Sequence, residues 1–193
     1  MGTSTLKIGS EIPAFALKGV DSKEYTLDSF KDKKVLIIIF SCNHCPYVQA
    51  YEERIKAVQN DYADKGVQVA AINSNDDSLY AEDSFDGMIK RAKEKQFKFP
   101  YLRDEDQSAA KAFDASHTPE IFLFDRERKL AYHGKIDDNW QFPEKVKSKY
   151  LRNALDELLS GKEISIPETF SIGCTIKWKD NFQVSGQTDS INT

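Results

Sequence analysis

The strongest pattern along the chain is VLIIIF at 35–40, six apolar residues between the charged turn KDKK and Ser41. An unbroken β-branched run of that length predicts a strand buried on both faces. Beyond it, Val48, Tyr51, Ile55, Val58 and Tyr62 recur at steps of three and four, the signature of an amphipathic helix. KGVQVAAIN at 65–73 predicts a second buried strand, which completes a β-α-β unit. A helical pattern follows through 86–97, with the basic residues of 90–98 on a solvated face, and then a short helix around Ser108–Phe113. TPEIFLFD at 118–125 predicts a third core strand, and 126–134 a turn and a fourth strand folding back on it. Residues 147–159 place Leu151, Leu155, Leu158 and Leu159 on one side of a last helix, which Gly161 ends. Near the N-terminus, residues 15–17 and 25–27 flank a polar turn and predict a small hairpin. This alternation of strands and helices gives an α/β class. It gives one domain over 1–180, in which SIGCTIKW at 171–178 is ordered by docking, and a flexible tail at 181–193.

Composition narrows the function. A net charge of -4 argues against a nucleic-acid partner, which calls for a basic face. No apolar run is long enough to span a membrane, and the first ten residues lack the apolar core of a secretory signal. A cytoplasmic location is therefore expected. Three cysteines are too few for a disulfide framework, so a close pair in a reducing compartment points to catalysis or metal binding.

Two of the three, Cys42 and Cys45, stand in FSCNHCPY, between the first core strand and its helix. Unpaired N–H groups and the positive end of the dipole at a helix start stabilise a thiolate, the species that attacks a disulfide. The spacing allows the second sulfur to displace the substrate from the first. On this logic Cys42 is the exposed nucleophile at the helix tip and Cys45 the more buried resolving thiol. His44, when protonated, favours the Cys42 thiolate. The pair then needs no organic cofactor, only a disulfide substrate and a cellular dithiol that resets it. A function of another class stays open: Cys42, Cys45, His44 and His117 are soft ligands for zinc or copper. Haem attachment is excluded, because Pro46 stands where C-x-x-C-H requires histidine.

The stretch IGSEIPAFALKGVDSKEYTLDSFKDKKVLIIIFSCNHCPYV resembles the opening of the peroxiredoxin-like branch of the alkyl hydroperoxide reductase/thiol-specific antioxidant (AhpC/TSA) family. AAINSNDD, FPYLRDEDQ, TPEIFLFD, GKIDD and SIGCTIKW carry the likeness from about Ile8 to Trp178. It implies a thioredoxin-like fold with an N-terminal β-hairpin extension, an insertion after the second core strand and a C-terminal tail. It also implies a cis-proline opposite the cysteine pair, which falls on Pro119, with the Thr118 backbone as a platform for extended substrate. The antioxidant activity of the family adds a hydroperoxide as an alternative substrate. The chain departs from true peroxiredoxins, whose motif is Pro-x-x-x-Thr/Ser-x-x-Cys. Aligning Cys45 with the reactive cysteine puts Cys42 at the hydroxyl position, and aligning Cys42 puts Ile39 there. The family's supporting arginine has no evident counterpart. Disulfide chemistry is favoured over peroxide on these grounds. Which thiol attacks first stays open: Cys42 by thioredoxin logic, Cys45 by peroxiredoxin logic.

Other residues carry weaker signals. His117 is a candidate acid or base near Cys42, and Cys174 an additional redox thiol or a small residue in a docked tail. His133 is expected to be exposed in its hairpin. Asp137 and Asp138 read as surface carboxylates or a polar rim. Phe40, Tyr47 and Tyr51 read as core or site lining, while Trp140 and Trp178 stay unassigned.

Overall fold

A computed structural model of the chain describes residues 6–179, so the tail read at 181–193 lies outside the described residues. In chain order the strands are β1 (Ala16–Gly19), β2 (Glu24–Thr26), β3 (Val35–Phe40), β4 (Val67–Asn73), β5 (Tyr101–Arg103), β6 (His117–Thr118), β7 (Glu120–Phe124), β8 (Leu130–Gly134) and β9 (Cys174–Thr175). The helices are α1 (Pro46–Tyr62), α2 (Phe85–Lys95), α3 (Ser108–Phe113) and α4 (Tyr150–Leu159). Seven strands form one sheet in the order β2-β1-β5-β4-β3-β7-β8, and β6 pairs with β9 apart from it.

β3 runs through the middle, parallel to β4 and antiparallel to β7, so Ile38 faces Ala70 on one side and Phe122 on the other. Its lack of alternation follows from two covered faces. Val35, Ile37 and Ile39 pack with Tyr51, Ile55 and Val58 of α1 and Leu151 and Leu155 of α4. Leu36, Ile38 and Phe40 pack with Phe113 of α3 and with Phe15 and Leu17 of the N-terminal hairpin. Burying six large side chains in one strand contributes roughly 1.5–3 kcal/mol each before entropy is counted. The order β4-β3-β7-β8, with α1 and α4 on one face and α3 on the other, is a thioredoxin-like fold.

The insertion after β4 holds α2 and β5. β5 lies parallel to β4 and antiparallel to β1, and so joins the N-terminal hairpin to the core sheet. β5 escaped the sequence pattern because it is three residues long and follows Pro100, a weak period by any count. His133 also differs from expectation. Its ring stacks on Phe122 with centroids 4.5 Å apart and bonds Glu120 Oε1 at 2.7 Å, so it is enclosed rather than exposed. Among the described residues no helix is long and apolar enough to cross a membrane.

Candidate functional site

β3 delivers the chain into the loop 41–45, and Pro46 opens α1 as its first residue. Proline suits that position because it lacks the N–H that would be unpaired there. Cys45 is therefore the N-cap of α1, and Cys42 stands three residues upstream. Both thiols are covered, at 2% exposure for Cys42 and 0% for Cys45. This corrects the picture of Cys42 as an exposed sulfur at the helix tip. Cys45 takes the tip, and neither sulfur of the pair is open to solvent.

The loop is held by buried polar groups. Asn43 donates its backbone N–H to Asp83 Oδ1 (2.6 Å) and its amide to the Glu82 carbonyl (2.5 Å). Tyr101 donates its hydroxyl to Asn43 Oδ1, and Gln49 donates to the Asn43 carbonyl. Asp83 is wholly buried and also accepts from His44 Nδ1 (2.5 Å), Asn73 Nδ2 (3.2 Å) and Asn75 Nδ2 (2.9 Å). His44 lies flat on Tyr80 with ring centroids 3.9 Å apart. Asp83 sits in the polar stretch YAEDS, whose sequence carries no signal of a buried carboxylate. It is the main site residue that sequence reasoning missed.

The second wall is the turn before β7. The Thr118–Pro119 peptide bond is cis, and Thr118 is buried. Its hydroxyl lies 3.3 Å from Cys42 Sγ, and its carbonyl oxygen 3.4 Å from Cys45 Sγ. Glu120 fixes this turn: one carboxylate oxygen accepts the N–H groups of Ser116 (2.7 Å) and His117 (3.0 Å), the other bonds His133. Burial opposes the Glu120 charge, yet these donors hold its carboxyl below the usual range. The His117 ring engages Ser116 Oγ at 2.7 Å rather than a thiol.

The expected substrate platform at Thr118 is already occupied. β9 pairs antiparallel with β6, placing Cys174 opposite Thr118 and Thr175 opposite His117. Cys174 Sγ lies 2.6 Å from Cys45 Sγ. Three thiols separated by up to 132 positions (174 − 42) thus form one cluster with Val48 and Tyr47, and Trp140 packs on Tyr47 at 4.3 Å.

The surroundings of the cluster favour negative charge on Cys45. A hydrogen bond from Cys42, then bonds from Cys174 and the Val48 N–H, outweigh the cost of burial and draw its thiol down to about 4. Cys42 moves the opposite way, because it donates to Cys45, is buried and faces the Asp83 carboxylate; the Thr118 hydroxyl offsets this only in part. Burial and the neighbouring Cys45 push Cys174 up to about 11. These surroundings favour a thiolate on Cys45 over one on Cys42.

The metal alternative changes membership. Cys42, His44 and Asp83 bring ligand atoms within 4.8 Å of one another, whereas Cys45 and His117 are not in that set. Asp83 already accepts four donors, about the capacity of a carboxylate. Its oxygens are engaged in holding the loop.

A thioredoxin-like sheet with a cysteine pair at a helix start, walled by a cis-proline turn, defines a thiol-redox protein of the peroxiredoxin-like kind. More particularly, the chain belongs to the Redoxin family, whose description matches residues 7–151. It is similar to an uncharacterized conserved protein of Geobacillus kaustophilus, at 41% identity over 93% of this chain and 99% of the other, with a TM-score of 0.86. A hypothetical protein of Sinorhizobium meliloti 1021 is similar at 38% identity over 93% and 100%, with a TM-score of 0.86. Among proteins of assigned activity, the thiol-disulfide oxidoreductase ResA of Bacillus thuringiensis subsp. konkukian is 24% identical over 127 residues, 65% of this chain and 68% of its own.

Proposed function

We propose that the protein exchanges electrons with disulfides through Cys42 and Cys45. The observation that carries this reading is Cys45 at the N-cap of α1, clustered with Cys42 against the cis Thr118–Pro119 turn. The Cys45 thiolate attacks one sulfur of a disulfide R–S–S–R′. The bond between those sulfurs breaks, R–S⁻ leaves, and Cys45 is joined to R′. Cys42 then attacks Cys45 Sγ, R′–S⁻ leaves, and the Cys42–Cys45 bond forms. The proton of Cys42 leaves with R′–S⁻, so the second product is the thiol R′–SH. Two electrons move from the pair to the substrate, and an external dithiol restores them. No organic cofactor enters this cycle, and a protein or small-molecule disulfide serves as substrate. A cytoplasmic setting, with its supply of dithiols, fits this cycle.

This order of attack reverses the thioredoxin-type assignment, and Thr118 and Pro119 line the site from the other side. Hydroperoxide is the weaker substrate on this geometry. The Thr118 hydroxyl contacts Cys42, the protonated sulfur, and not the Cys45 thiolate. The test is to mix reduced protein with oxidised glutathione and follow both released thiol and protein mass. Cys45→Ser should abolish release. Cys42→Ser/Cys174→Ser, which leaves no second thiol beside Cys45, should stop at a glutathione adduct on Cys45. Wild-type release by Cys45→Ser would overturn the reading, and so would a rate with hydrogen peroxide far above that with the disulfide.

A further inference from the structure

Residues 168–179 form a strap over the thiol site, fastened on both sides of Cys174. Upstream, the Thr169 N–H donates to the His133 carbonyl, and Thr169 Oγ1 accepts the Lys135 N–H. The strap lies so close to β8 there that a Cβ on Gly134 would meet Thr169 Oγ1 at 2.0 Å. Downstream, the Ile176 N–H donates to the Ser116 carbonyl and the Lys177 N–H to Asn75 Oδ1, while the Lys177 carbonyl accepts from Asp76 N–H and Gln107 Nε2. Ile176 itself is buried in the core. At the centre, a Cβ on Gly173 would stand 2.1 Å from the Thr118 carbonyl oxygen, so glycine is what allows the strap to approach this far. The result is Cys174 Sγ at 2.6 Å from Cys45 Sγ, with Cys174 the one half-buried thiol beside two covered ones.

We propose that Cys174 is a third redox thiol, which takes the disulfide from the covered pair and carries it, as Cys45–Cys174, toward the surface. The step rests on the Cys42–Cys45 redox reading above. The Cys174 thiolate attacks Cys45 Sγ of the Cys42–Cys45 bond, a new Cys45–Cys174 bond forms, and the old bond breaks. Cys42 leaves as the thiolate and takes up the proton that Cys174 released. One disulfide exists before and after, so the step needs no oxidant or reductant. The external dithiol then reduces a bond with a half-buried sulfur at one end instead of two covered ones. Cys45 holds the proton on Cys174 as acceptor and as charge, and both effects disappear once Cys45 is oxidised.

The full chain, reduced and then oxidised with a limiting amount of oxidised glutathione, should be quenched with acid, alkylated and digested with trypsin. Peptide masses should show the Cys45 peptide linked to the Cys174 peptide, with alkylated Cys42. Gly173→Ala displaces the strap without touching a thiol; it should lose the link and keep an internal Cys42–Cys45 bond. Cys174→Ser should still consume glutathione disulfide yet be reset by dithiothreitol more slowly than wild type. An internal Cys42–Cys45 bond alone in the wild type, with Cys174 fully alkylated, would overturn the relay while leaving the redox pair intact. Loss of glutathione consumption in Cys45→Ser alone, with consumption kept in Cys174→Ser, separates the pair from the relay.

Discussion

Cys45 collects the negative charge of the site because its donors converge: two S–H groups and the N–H of Val48 face one sulfur at the positive end of α1. Its thiol is drawn from 9.0 in a free chain to about 4 in the fold. Above pH 9 the folded and unfolded chains are both charged here, and the full stabilisation is present. As pH falls from 9 toward 4, the unfolded chain binds a proton that the folded one refuses, so this stabilisation shrinks; below about 4 it is gone. The stability gap between reduced wild type and Cys45→Ala should therefore narrow steadily over that interval in urea titrations. The ultraviolet absorbance of the thiolate should persist toward pH 4 in the wild type and vanish in Cys45→Ser. A wild-type thiolate titrating near 9 would place the charge elsewhere.

At the scale of elements, α1 does more than present Cys45. Arg54, from its middle, donates to Asp137 Oδ2 (2.7 Å) and to the carbonyls of Asn139 (2.8 Å) and Trp140 (2.5 Å), while Tyr51 donates to Asp137 Oδ1 (3.0 Å). These bonds fix the loop after β8 and set Trp140 against Tyr47 beside the thiols. Arg54→Ala leaves the buried Asp137 carboxylate without its cation, a loss of about 3–5 kcal/mol. Urea unfolding should show that loss, and Arg54→Ala/Asp137→Ala should cost less than the sum of its single changes. Additive costs would mean that the two side chains act independently. Asp137, read from sequence as a surface or rim carboxylate, is thus a buried structural partner. The same scale shows what periodicity reveals. β3 and α1 are long and strongly patterned, so VLIIIF and the Val48-to-Tyr62 stripe disclosed them and the site between them. β6 and β9 have two residues each, too few for any period, and their pairing is set by tertiary contacts 56 and 58 positions apart (174 − 118 and 175 − 117). Asp83 was illegible for a related reason: a buried carboxylate is recognisable by the donors around it, and those come from 43, 44, 73 and 75. The role of Cys174 depends on a strap whose path no local pattern records.

At the scale of the whole molecule, the direction of electron flow follows from which redox form the fold favours. The reduced site gains from a thiolate that its donors stabilise, and oxidation to the Cys42–Cys45 disulfide removes that charge and leaves the Val48 N–H and the Cys174 thiol without their acceptor. Folding and reduction are linked through this difference: what stabilises the folded dithiol raises the reduction potential by the same free energy. A depressed Cys45 thiol therefore eases the resetting of the oxidised pair by the external dithiol and lessens its reducing power toward the substrate disulfide. Its potential should lie above the roughly −270 mV of thioredoxin, and the reduced protein should need more urea to unfold than the oxidised one. Equilibration with glutathione buffers measures the first, and paired denaturation curves the second. The two results are coupled, so a potential below thioredoxin's together with a more stable oxidised form would show that the donor cluster around Cys45 does not govern the redox balance. A reduced form stabilised in the wild type but not in Cys45→Ala would trace that balance to the one sulfur at the tip of α1.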